Sequence, residues 1–145
     1  MKTATKTLAD IEEIAGRECY DHVRDVLADV EVPVLAVPQC QGDLMIVPVK
    51  RTAGAGADVV PPTGVDVIAP VDGGHAHTLV APDGGCVAHV RQPVDANDLV
   101  LATVTAERPV YLLHAEHGAT GLAAGNWEIR GQREFDAAEA RRVAD

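Results

Sequence analysis

Apolar positions along the chain change their period near residue 32. Over residues 8–30, Leu8, Ile11, Ile14 or Ala15, Cys19, Val23, Val26, Leu27 and Val30 recur at three- and four-residue steps. That spacing gathers them on one face of an α-helix. Asp10 followed by Glu13 fits a capping box, with Thr7 as an alternative N-cap, and Pro33 ends any continuation. The stripe predicts an amphipathic helix that packs on the rest of the fold, on a second subunit, or on a protein partner.

From residue 32 to 135 the pattern becomes short runs of branched residues bounded by Pro, Gly and Gln, the mark of strands. Val-Pro-Val-Leu-Ala-Val (32–37) and Asp-Leu-Met-Ile-Val-Pro-Val (43–49) come first, and Pro48 places the second at an edge or a bulge. Further strands are expected at 65–70, 75–81, 86–91, 99–105, 109–114 and 126–134. Pro-Asp-Gly-Gly (82–85) is a strong turn that reads as the tip of a hairpin. Residues 52–64, rich in Gly, Ala and Pro, suit a mobile loop. Asp136, with Glu139 three residues on, caps a short C-terminal helix. The fold class is therefore mainly β: a small β-barrel or β-sandwich with an N-terminal amphipathic helix and a short C-terminal one. Residues 1–31 form the helical segment and 32–145 the β-rich domain.

Composition narrows the picture. The 145 residues are 47% hydrophobic but only 3% aromatic, so small aliphatic side chains must fill the core. Each of these buries little area, and a homo-oligomer is a natural way to add buried surface. The net charge of −10 argues against nucleic acid and anionic membrane as partners, since both need clustered cations. Late basic residues (Arg130, Arg133, Arg141, Arg142) are interleaved with Glu128, Glu134, Asp136 and Glu139, as on a salt-bridged surface. Cys19, Cys40 and Cys86 form no CxxC pair and read as reduced residues of a cytoplasmic protein, or of a virion if the chain is phage-derived. No apolar stretch is long enough to span a bilayer. The chain contains no serine, which removes serine-hydrolase chemistry.

Histidine supplies the candidate chemistry. Four of the six fall in two tight pairs, His75 and His77 in Gly-His-Ala-His (74–77), His114 and His117 in His-Ala-Glu-His-Gly (114–118). Neutral imidazole is the commonest protein ligand for transition metals. Strand alternation puts His75 and His77 on one side, about 7 Å apart. His114 shares a face with Glu116 if the strand continues, whereas a turn at Gly118 lets His117 swing toward His114. A three- or four-histidine site suits Zn²⁺. Two histidines with Glu116, leaving open positions, suit Fe²⁺ or Mn²⁺. His89 joins the cluster or leaves it according to a one-residue slip in the 82–85 hairpin. The competing reading is bland: His75 and His77 on a solvent face, His114 satisfying a backbone group, Glu116 and His117 in a polar turn.

Gln-Gly-Asp-Leu-Met-Ile-Val-Pro-Val (41–49), Gly-His-Ala-His, His-Ala-Glu-His-Gly and Asn-Trp-Glu-Ile-Arg-Gly-Gln-Arg-Glu-Phe (126–135) occur in that order. Together they resemble small, uncharacterised proteins of bacterial and phage genomes, over residues 41 to about 144, a resemblance that brings no activity with it. The HisXHis motif with a later histidine is also similar to a cupin in architecture. A cupin's first motif carries a glutamate a few residues on, where this chain has Thr-Leu-Val-Ala-Pro (78–82). The expectation is a divalent-metal-binding β protein, or a metal-dependent enzyme on a small substrate. The competing class is an assembly protein such as a phage capsid decoration or minor virion subunit.

Overall fold

A computed structural model describes residues 6–17, 28–68, 76–91 and 100–131. The expected C-terminal helix, His75, His22 and Cys19 lie outside the described residues. Among the described residues, one helix, α1 (Leu8–Ala15), precedes eleven strands: β1 (Val34–Leu35), β2 (Gln39–Gln41), β3 (Leu44–Pro48), β4 (Asp58–Val59), β5 (Val65–Ile68), β6 (His77–Val80), β7 (Cys86–Val90), β8 (Val100–Ala106), β9 (Val110–His114), β10 (Gly118–Leu122) and β11 (Gly125–Gly131). They form two sheets, ordered β1-β10-β9-β6-β5 and β2-β3-β11-β8-β7-β4. Neither closes on itself. Of the two expected architectures, the protein is sandwich-like.

The core between the sheets takes Leu79 from β6, Leu112 from β9 and Leu122 from β10 of the first sheet, and Leu44 and Ile46 from β3, Val104 from β8 and Trp127 and Ile129 from β11 of the second. Trp127 is buried, and its Nε1–H donates to Ala123 O at 2.9 Å. A second cluster lies on the outer face of the first sheet, where Leu8, Ile11 and Ala15 of α1 cover Val80, Tyr111 and Leu113. Strand β9 is thus buried on both faces, which is why it reads as an unbroken apolar run.

The helix is much shorter than the 8–30 stripe. Thr7 caps it in a capping box with Asp10, not Asp10 with Glu13, and Gly16 closes it in the left-handed region at φ 70°, a conformation that costs glycine nothing. The chain is back beside the helix start by residues 28–32: Leu8 N–H donates to Val30 O and Val32 N–H to Lys6 O. Of the alternatives open to the stripe, residues 8–15 take the first, packing on the rest of the fold.

Two further corrections concern connections. The 82–85 turn, with Gly84 and Gly85 both at positive φ, is not a hairpin tip, because β6 and β7 belong to different sheets. His89 pairs with Thr103 on β8, so neither hairpin register applies to it. The 52–64 segment is tied down, Ala53 N–H donating to Thr105 Oγ1 and Val60 N–H to Cys86 O. Pro48 sits where expected. Strand β2 pairs only as far as Ile46, and Val49 N–H points to Asn126 O on β11. The N–H that Pro48 lacks would therefore face the unpaired side.

Candidate metal centre

The inner-face alternation of two strands brings the first histidines together. Thr78 pairs with Leu113 and Leu79 with Leu112 across β6 and β9. Continuing that register sets His77 opposite His114, in phase with the core leucines Leu79 and Leu112. Cross-strand neighbours on one face are the closest side-chain pairs a sheet offers, and the two ring centroids are 4.3 Å apart. His114 also pairs with Gly118 on β10. The three residues between turn the chain so that His117 swings back, its ring centroid 4.6 Å from His114 and 6.5 Å from His77.

The opposite sheet supplies the other wall through the β2–β3 turn, Gln41-Gly42-Asp43. Gly42 has φ 60°, and a Cβ there would come within 2.8 Å of His117 Cδ2 and 2.9 Å of Nε2. The positive φ favours glycine here, and its lack of a Cβ leaves room for the His117 ring in this position. Asp43 Oδ1 lies 3.9 Å from His77 Nε2. Gln41, buried, spans the sandwich: its Nε2 donates to Leu112 O at 2.6 Å and Thr120 Oγ1 at 3.1 Å, with Gly118 O at 3.3 Å. Its Oε1 lies 2.9 Å from His77 Nδ1.

Burial and solvent access divide along the cluster. His77 and His114 are buried, while His117, Glu116 and Asp43 are exposed. The His77 pKa is pushed down to about 4, first by burial and then by His114, with Asp43 opposing and His117 adding. Its ring is neutral at pH 7, the protonation state a metal requires. His114 Nδ1 accepts from the backbone N–H groups of Glu116 (3.1 Å) and His117 (3.2 Å). Glu116 therefore contributes its backbone to the site's geometry, and its side chain stands at the exposed turn.

Of the expected ligands, the structure joins His77, His114 and His117. His75 lies outside the described residues, and His89 is exposed on β7 in the other sheet. Gln41 and Asp43 carry roles that histidine spacing alone does not point to. Their signal was the Gln-Gly-Asp turn, whose glycine sits between two polar side chains in a strand-rich stretch. Among the described residues, no three His, Cys, Asp or Glu side chains stand arranged around a common ion position. Two imidazoles sharing a tetrahedral ion place their centroids about 5 Å apart, given Zn–N bonds of about 2.0 Å. The three observed separations fall on both sides of that value.

A family model described as a domain of unknown function, DUF8820, matches residues 40–132. The chain belongs to this family. The DUF8820 match begins one residue before Gln41 and takes in all three clustered histidines, while α1 lies outside it. No curated protein and no solved structure matches the chain.

Proposed function

We propose that this DUF8820 protein binds a divalent transition metal at the end of its sandwich, through His77 and His117 with Asp43 as the carboxylate. The observation that carries the reading is the convergence of three imidazoles from β6 and the β9–β10 turn within 4.3–6.5 Å of one another. The expected pairing with Glu116 gives way to Asp43, whose carboxylate already faces His77 Nε2. Coordination needs ring shifts on the order of 1 Å to reach the shared-ion spacing. The exposed β2–β3 and β9–β10 turns that carry Asp43 and His117 supply that freedom. A two-histidine, one-carboxylate set leaves open positions, so the site suits Fe²⁺, Mn²⁺ or catalytic Zn²⁺ rather than a closed structural zinc. A small substrate or a water would be polarised there.

Untagged protein titrated with Co²⁺ at pH 7.5 should develop one equivalent of visible ligand-field absorption, displaced by Zn²⁺. The double variant His77→Ala/His117→Ala, folded by circular dichroism, should lose it. Equal cobalt uptake by wild type and the double variant overturns the assignment.

A second reading, self-association as a homo-oligomer or assembly subunit, is favoured by Leu35, Val37 and Met45, large apolar side chains exposed within one short segment. Light scattering on the wild type and on Val37→Lys/Met45→Lys distinguishes it: an oligomer that dissociates in the variant supports assembly through this segment.

A further inference from the structure

His77 and His114 are neighbours on one sheet face, yet their Nδ1 atoms are held by opposite hydrogen-bonding partners. An amide side chain has two N–H donors and one acceptor oxygen. Gln41 Nε2 lies against two backbone carbonyl oxygens, Leu112 O and Gly118 O, and against Thr120 Oγ1, a hydroxyl that accepts here but could also donate. The two carbonyls decide the orientation, because turning the amide over would set its oxygen against both. The oxygen must therefore face His77, and His77 Nδ1–H donates to it at 2.9 Å. A neutral ring with its proton on Nδ1 carries a lone pair on Nε2, the atom that lies 3.9 Å from Asp43.

At His114 the logic runs the other way. Two backbone N–H groups, from Glu116 and His117, donate to its Nδ1. An atom that accepts cannot carry the proton, so the ring proton is on Nε2. We infer that Gln41 and the β9–β10 turn assign opposite tautomers to adjacent histidines, making His77 Nε2 a ligand atom and His114 Nε2–H a hydrogen-bond donor at the same site. His114 Nε2 is thereby excluded as a ligand atom, because it carries its ring's proton. Gln41 is the positioning residue for His77, as outer-sphere partners commonly are for ligating imidazoles. The ligand half of this inference rests on the metal reading above; the tautomers do not.

Long-range ¹H–¹⁵N correlation spectra of untagged, metal-free protein at pH 7.5 read the tautomers directly. His77 is expected as Nδ1–H and His114 as Nε2–H. Gln41→Leu should release His77 toward the Nε2–H form and weaken Co²⁺ binding about 10–100-fold. Wild-type His77 found as Nε2–H, or His114 as Nδ1–H, overturns the assignment without any variant. So does a folded Gln41→Leu protein with an unchanged His77 tautomer. The expected tautomers in a protein that takes up no cobalt would uphold the donor–acceptor assignment and overturn the metal reading alone.

Discussion

His77 is the residue on which the site's electrostatics turn. In an unfolded chain its imidazole titrates near 6.5, and in the folded protein near 4. Between these values the unfolded chain binds a proton that the native state refuses, so stability must rise with pH across that window and level off above it. At about 1.4 kcal/mol per pH unit, the native state loses up to roughly 3 kcal/mol as pH falls from 6.5 to 4. Urea denaturation at pH 7.5, 5.5 and 4.5 should show this decline, and His77→Gln should flatten it. An equally steep decline in the variant would assign the pH dependence to other groups. Cys86 marks the contrast with a reactive site: it lies in the core and burial pushes its thiol up to about 12, so it is a packing residue.

Helix α1 ends at Ala15, short of the 8–30 stripe, and turns its apolar face onto its own sheet. Ile11 is fully buried against the outer face of the first sheet, so Ile11→Ala should cost about 2–4 kcal/mol. Thr7→Ala, which removes the cap, should cost about 1 kcal/mol. Both are measured as denaturant midpoints at constant m. A loss under about 0.5 kcal/mol for Ile11→Ala, the size expected of an exposed position, would return the helix to the role of a free docking element. The apolar stripe was readable, but periodicity cannot say whether the buried face meets its own chain or another. Strand β10 went unread for the opposite reason. Its Gly-Ala-Thr-Gly-Leu sequence holds two glycines and an alanine, with Thr120 its only β-branched residue. Yet Gly121 is there because β1 runs parallel against it, and a Cβ would overlap the Pro33 carbonyl, the close backbone approach that a glycine inside a strand signals. The 82–85 turn was recognised by its glycines. Turn chemistry alone does not reveal that the chain changes sheets there, and this is what separates His89 from the cluster.

At the scale of the molecule, the sandwich brings the Gln41–Asp43 turn of one sheet against the His77–His114 pair of the other, at the open end of a core that is otherwise aliphatic. The two histidine motifs were visible in the chain, but strand alternation only grouped His75 with His77 and His114 with Glu116; setting His77 beside His114 takes the β6–β9 register, a non-local pairing that spacing along the chain does not reveal. Gln41 could not be ranked from sequence, because its value lies in reaching three backbone and side-chain acceptors across the sandwich while holding one imidazole. The DUF8820 match covers this arrangement and leaves α1 outside, in keeping with a shared site and a separate covering helix. The most direct test is the anomalous difference map of crystals grown with stoichiometric Zn²⁺ and recorded at the zinc edge. One peak per chain is expected within bonding reach, about 2.0–2.2 Å, of His77 Nε2, His117 and the Asp43 carboxylate. Zinc peaks only at surface carboxylates or at His89, with these three side chains unmoved, would contradict a metal centre at this end of the sandwich.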